Sequence, residues 1–242
     1  DAAMSSTDST PRTVNWLGYL GLTLLLVLPI SVLTVRSGAW QQGLLLYAIA
    51  CAGAALLLLI ALLMLVLPAL KSARGGILKR TLFVVPGTVL MLSLLANRGD
   101  IPPIHDITTD TINPPEFVAA VAARGSDSNP LDIKPDTIAQ QKVAYPDISP
   151  VIVDLATTEA FARSVAAAKA LGWEVIAQDE QAGTLEAVDT TAIMGFKDDI
   201  AIRISREGDS SIIDLRSVSR VGVSDLGANA KRIRAFKSQF GQ

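Results

Sequence analysis

The sequence predicts an α+β protein in which three N-terminal transmembrane helices are followed by an antiparallel sheet with helices packed on one face. Three observations predict it: long uncharged apolar runs confined to the first hundred residues, a reversal of charge after them, and alternating strand-length segments toward the carboxyl end. Half of the 242 residues are hydrophobic and the mean hydropathy is +0.42, too apolar for one soluble domain and too polar for a chain wholly inside a membrane. Residues 1–99 hold 7 Lys+Arg against 2 Asp+Glu, whereas residues 100–242 hold 14 against 21. Four regions are therefore expected: a disordered tail over 1–13, a transmembrane region over 14–98, a proline-rich connector over 99–150 and an α+β domain over 151–242.

Residues 1–13 are polar and rich in Ser and Thr, with nothing to bury, and should be poorly ordered. The run 14–35 is 22 residues without a charge, and 44–67 is 24 residues with eleven leucines. Each exceeds the roughly 20 residues that a helix needs to cross about 30 Å of hydrocarbon. At about −0.5 kcal/mol per central Leu, the leucines of the second run favour insertion by roughly 5 kcal/mol. A third span is expected over 81–96, short by itself but extended by Ile77 and Leu78 if Lys79 and Arg80 reach to the interface, and with Pro86-Gly87 as the site of any kink.

Orientation follows from the short connections. Lys71, Arg74, Lys79 and Arg80 separate the second and third runs, whereas Arg36 alone separates the first and second, so the basic loop is expected in the cytoplasm. Three crossings then put the N-terminus inside a bacterial inner membrane and everything after Asn97 in the periplasm. Within the second run, Ala50 with Ala54 and Cys51 with Ala55 form small-xxx-small pairs that admit another helix at close range. Cys51 is the sole cysteine, so no disulfide framework or thiolate metal site is expected.

Residues 101–150 hold eight of the twelve prolines. Proline lacks an amide donor and restricts its predecessor, so an extended, irregular connector is expected, with at most a helical turn or two over 115–123. Its length argues that it lies against a surface. Beyond it, 151–155 reads as a strand. Residues 158–171 read as a helix with Phe161, Val165, Ala168 and Leu171 on one face. Two hairpins follow, 173–178 with 184–190 and 200–205 with 212–218, turning at Gly183 and Gly208. A last helix is expected from a Ser224 cap to Phe240, with Leu226, Ala230, Ile233, Phe236 and Phe240 inward and Lys231, Arg232, Arg234 and Lys237 outward.

Several motifs in this region occur together: Ile104-His105-Asp106-Ile107-Thr108-Thr109-Asp110 before Pro114-Pro115, Gly172-Trp173-Glu174, and Gly195-Phe196-Lys197-Asp198-Asp199. The closing run adds Asp214-Leu215-Arg216-Ser217, Ser219-Arg220-Val221-Gly222, Ser224-Asp225-Leu226-Gly227 and Asn229-Ala230-Lys231-Arg232-Ile233. Together they resemble the domain-of-unknown-function 1499 family, in a membrane-anchored version, over about 102–240. The resemblance implies a domain boundary and no settled activity.

The acidic remainder argues against nucleic acid as a partner, because phosphate binding needs a basic face. No phosphate loop or dinucleotide fingerprint is present, and Gly222-Val223-Ser224-Asp225-Leu226-Gly227 does not fit a Gly-x-Ser-x-Gly elbow. The densest charge group is Asp198, Asp199, Arg203, Asp214, Arg216 and Arg220, which alternation allows on one surface. It reads either as an ion-pair ladder between strands or as a site for carboxylates, phosphate head groups or a protein partner. Ser224 and Gly222 beside Arg220 offer an anion pocket at a helix start, with ordinary capping by Asp225 as the competing account. His105 with Asp106 and Asp110 invites an acid-base or metal reading, against which stand the single imidazole and the turn-forming Thr108, Thr109 and Thr111. No catalytic group and no cofactor is expected. The sequence therefore points to an accessory or structural subunit whose partners are other integral membrane subunits and membrane lipids. The alternatives are a binding module for lipid head groups or small anions, and an enzyme of unknown class.

Overall fold

The computed structural model describes residues 10–96, 99 and 101–241, and it divides into two compact units at Gly99 and Asp100. Most of the expected tail, and Asn97 as the exit point of the third span, lie outside the described residues.

In the first unit, α1 (Arg12–Arg36) and α2 (Trp40–Val66) form a helical hairpin, and both are long and apolar enough to cross a membrane. Helix α1 begins at Arg12, so the end of the expected tail is ordered. The two helices touch where side chains are smallest. A Cβ added at Gly43 would come within 2.7 Å of Val35 N and 2.8 Å of Ser31 O, so only glycine permits this approach.

A continuous third span is not what forms. After α2 come a 3₁₀ turn (Pro68–Ala73), α3 (Arg74–Thr81) and α4 (Val85–Ala96), and the two helical stretches meet at 63°. Pro86 supplies the reason. Its ring would clash with the carbonyl four residues back, at Leu82, and it has no amide to donate, so it sits in the first turn of a new helix. The unit thus has two candidate membrane helices, or three if the bent pair is one broken span. The small-residue face of α2 is occupied from within the chain. Gly87 of α4 lies where an added Cβ would be 2.7 Å from Ala54 Cβ and 3.4 Å from Ala50 O. Ala50, Cys51 and Ala54 are buried and Ala55 is half-buried.

The second unit is an α+β lobe built on one antiparallel sheet. Its elements are β1 (Asp106–Thr108), α5 (Ala119–Ala123), α6 (Pro135–Ala144), β2 (Val151–Val153), α7 (Thr157–Ala170), β3 (Glu174–Asp179), β4 (Thr184–Thr190), β5 (Lys197–Glu207), β6 (Ser210–Ser219) and α8 (Ala228–Ser238). The strand order is β1-β6-β5-β4-β3, with β2 joining β1 end to end along the outer edge of β6. The hairpins turn where expected, and the second is longer than its alternation suggested because both strands continue to the turn at Gly208.

Register assigns the faces. Ile202 pairs Leu185 and Leu215, and Ile200 pairs Ala187 and Ser217, which puts these residues on one side of the sheet. There α7 contributes Ala160, Phe161 and Ala168, and α8 contributes Ala230, Ile233 and Phe236, with Trp173 stacked on Phe236 at 5.8 Å. The opposite face is also covered. Ala201 and Val218 pack against Phe117 and Ala120, so α5 lies on the side away from α7 and α8, and the helices are not confined to one face.

The proline-rich stretch is therefore part of the lobe. It supplies β1, covers the second face and forms the ten-residue α6, which proline content concealed because Pro135 sits at the start of that helix, where proline is tolerated. The buried Gln141 of α6 completes the free edge of β1, donating to Thr108 O at 2.7 Å and accepting from Thr108 N at 3.0 Å. The last helix also starts later than expected. Asp225 accepts the amides of Gly227 and Asn229, both at 2.8 Å, and this capping carboxylate occupies the proposed anion position. Leu226 is 63% exposed and Arg232 is buried, reversing both expectations.

Candidate functional site

The covered face of the sheet carries the charged residues singled out in the sequence. Asp199, Ala201 and Arg203 alternate out of β5 on this face, directly opposite Val218, Arg216 and Asp214 of β6. Asp198 does not join them. One residue out of phase, it points to the α8 side, where its carboxylate accepts Arg232 Nη2 at 2.6 Å. Arg232 also pairs with Asp189 at 2.7 Å and bonds Ser217 and Asn229, a buried junction that the sequence reading missed by placing Arg232 outward. Asp189 pairs Asp198 in register, so two carboxylates side by side were the available signal that a cation must come between them.

Each arginine on the covered face joins the sheet to the segment that crosses it. Arg216 donates Nε and Nη2 to the two oxygens of Asp106 at 3.1 and 2.8 Å, a two-pronged pair, and reaches the carbonyls of Pro115 and Leu131. Its guanidinium lies 5.2 Å from the Phe117 ring centre. Arg220 and Arg124 share Asp199, and Arg220 also donates to Ala123 O at 3.1 Å. Arg203 pairs with Asp214 and with Asp110, each at 2.9 Å, and donates to Asn113 O at 2.8 Å. The chemistry is that of a clamp. Every guanidinium that the sequence offered for anion binding already holds a carboxylate of the fold.

Burial pushes the Asp106 carboxyl above the ordinary range, with Arg216 pulling against it. For Asp110 burial also acts upward but is outweighed, because the amides of Asn113 and Ile112 and the Arg203 guanidinium hold it below the usual value. His105, Asp106 and Asp110 are sent to three different places. The His105 ring lies 3.4 Å from Val223 O, Asp106 faces Arg216, and Asp110 faces Arg203 and its own turn. Among the described residues no group of three His, Cys, Asp or Glu side chains could hold a metal ion.

The family model described as "Protein of unknown function (DUF1499)" matches residues 106–240, from the first residue of β1 to two residues past the end of α8. The chain belongs to the DUF1499 family. No curated protein matches it. The matched region takes in the crossing segment as well as the sheet, so the DUF1499 lobe includes the clamp.

What the clamp builds in this DUF1499 lobe is a cleft of about 850 Å³ between the crossing segment and β3, β4 and β5. Its walls include Ile112, Pro114, Val118, Gln178 and Thr184, with Arg203 and Glu186 among the polar groups. Glu186, buried on β4, accepts the amides of Val118, Ala119 and Ala120 within 2.9 Å, so it fixes the start of α5. Asp110 in turn accepts the amides of Ile112 and Asn113 at 2.9 and 3.0 Å. The backbone is thereby held at both ends, while Ile112 stands 85% and Val118 77% exposed.

Proposed function

We propose that the protein is an accessory subunit of a larger membrane complex, anchored by its N-terminal helices and contacting a companion membrane subunit through the cleft of its lobe. The observation that carries this is the pair Ile112 and Val118, large aliphatic side chains left in water on backbone that Asp110, Arg203 and Glu186 immobilise. Single exposed aliphatics are ordinary on protein surfaces. Two on a rigid rim beside a concave wall are different, since a surface ordered beforehand loses little entropy when a partner binds. The partner's matching element is an apolar, extended segment. The arginines lend less support to an anion-binding module, because a phosphate would have to displace their carboxylates.

The same proposal places the lobe in the periplasm of a bacterial inner membrane, with α3 and α4 as a bent third crossing. Val84 neighbours Gly21 of α1 and Gly87 neighbours Ala50 and Ala54 of α2, which supports an α4 that runs beside α2 in the opposite direction. From Gly87 to Ala96 is about 14 Å of helix, close to the roughly 15 Å from Ala50 back to Trp40. That supports a segment that completes the crossing rather than turning back. Lys71, Arg74, Lys79 and Arg80 in the preceding connection favour a cytoplasmic start.

Purification from native membranes in mild detergent, followed by mass spectrometry, tests the function. A stoichiometric companion is expected with the wild type and lost with Ile112→Asp/Val118→Asp at unchanged lobe stability; a lone monomer in both samples refutes it. A periplasmic reporter enzyme fused after Gln242 is expected to be active, and activity of a cytoplasmic reporter there refutes the orientation.

A further inference from the structure

The groove between α1 and α3 presents positive charge that no carboxylate among the described residues of the helical unit answers. Residues 10–96 contain six Lys or Arg and no Asp or Glu. Arg80 is the one that the fold builds in. It is half-buried, its Nη2 donates to Asn15 Oδ1 at 2.8 Å and its Nη1 to Gly76 O at 3.2 Å. Both acceptors are neutral, so they fix where the guanidinium points without cancelling its charge. The stem lies flat on α1 at Gly18, where an added Cβ would meet Arg80 Cδ and Nε at 3.0 Å.

Lys79 lines the same groove of about 340 Å³, and Tyr19, Leu22 and Phe83 supply its less polar walls. Its depth in a bilayer is marked by Trp16 and Tyr19, 61% and 64% exposed and in edge contact at 6.1 Å, an aromatic pair of the kind that collects at the head-group level. The groove therefore has a cationic mouth at the interface and apolar walls leading away from it. We propose that it binds an anionic phospholipid, with the phosphodiester on Arg80 and Lys79 and an acyl chain along Leu22 and Phe83.

Two features select this ligand over its neighbours. The residues that line the groove include two cations, Lys79 and Arg80, and no carboxylate, so a net negative head group matches it better than a zwitterionic one. A free phosphate would leave the apolar walls in contact with water.

Native mass spectrometry of the full-length protein released from detergent, with dioleoylphosphatidylglycerol or dioleoylphosphatidylcholine added at equal concentration, tests the site. Retained phosphatidylglycerol is expected to exceed phosphatidylcholine, and Arg80→Gln or Lys79→Gln each to lower it about fivefold. Equal retention of the two lipids in the wild type overturns the proposal, as does an unchanged lipid ratio in Lys79→Gln. If Arg80→Gln does not fold, those two measurements decide. Displacement of phosphatidylglycerol by millimolar inorganic phosphate as readily as by more lipid would also overturn it, identifying a soluble-anion site.

Discussion

Glu186 on β4 and Ala120 on α5 are joined by a bond of 2.8 Å from the helix amide to the carboxylate, and the same carboxylate accepts the two preceding amides at 2.9 Å. A five-residue helix has no stability of its own, so α5 depends on this capping carboxylate together with the burial of Ala120 against Ala201 and Val218. Glu186→Ala is expected to cost about 3 kcal/mol and Glu186→Gln about 1 kcal/mol, since the amide retains an acceptor. Hydrogen exchange over 118–124 should accelerate in the Ala variant; unchanged protection there would mean that packing alone holds the segment.

Arg216 and Asp106 form a pair whose side chains are 7% and 5% exposed. Removing one partner strands a buried charge, so Arg216→Ala is expected to cost about 3–5 kcal/mol and Arg216→Glu to unfold the lobe. Replacing both, as Arg216→Met with Asp106→Leu, should recover most of the loss. The check is lobe unfolding followed through Trp173 fluorescence in a Trp16→Phe/Trp40→Phe background. If Arg216→Glu unfolds at the wild-type temperature, the arginine is free for a ligand and the clamp account fails.

Asp110 carries a pH signature. Its folded carboxyl titrates below the ordinary value, so the stability it adds is present above about pH 3.9, the unfolded value, and is lost as pH falls through the lower folded one. The side chain is 24% exposed and water screens it, so the contribution is modest. The melting difference between wild type and Asp110→Asn is expected to be constant from pH 8 to 5 and to shrink progressively as the pH is lowered below about 3.9. A difference that grows on acidification would reverse the sign and exclude the assignment.

How much of this was legible in the sequence depends on which side chains decided it. The apolar runs of α1 and α2 and the hairpins around Gly183 and Gly208 follow from period and turn chemistry, which are local. The amphipathic face of α7 was equally plain, since Phe161, Val165, Ala168 and Leu171 all pack on the core. Proline was harder to read. At Pro135 it starts a helix instead of preventing one, whereas at Pro86, where a kink was expected, the third run does bend, by 63°. The clamp was visible only as a list of charges, because its partners lie far apart in the chain. Arg216 meets Asp106 and Arg203 meets Asp110 only after the crossing segment has folded over the sheet. Alternation placed Arg203, Asp214 and Arg216 on one face correctly, and the same rule applied to Asp198 would have excluded it.

Gly87 and Ala54 test whether α4 is lodged against α2. A Cβ on Gly87 would be 2.7 Å from that of Ala54, so one methyl group fills the contact and two overfill it. Between membrane helices close packing supplies much of the attraction, because lipid is as apolar as the side chains. Gly87→Ala alone is expected to cost about 1–3 kcal/mol through overpacking, and Ala54→Gly alone about 1 kcal/mol through helix propensity and a lost contact. The exchange of both should cost less than the sum, since the methyl group moves from one helix to the other across the same gap. Thermal denaturation of the full-length protein in detergent gives the comparison. Strict additivity of the two substitutions would show that α4 does not rest on Ala54, and with it the third crossing would lose its support in packing.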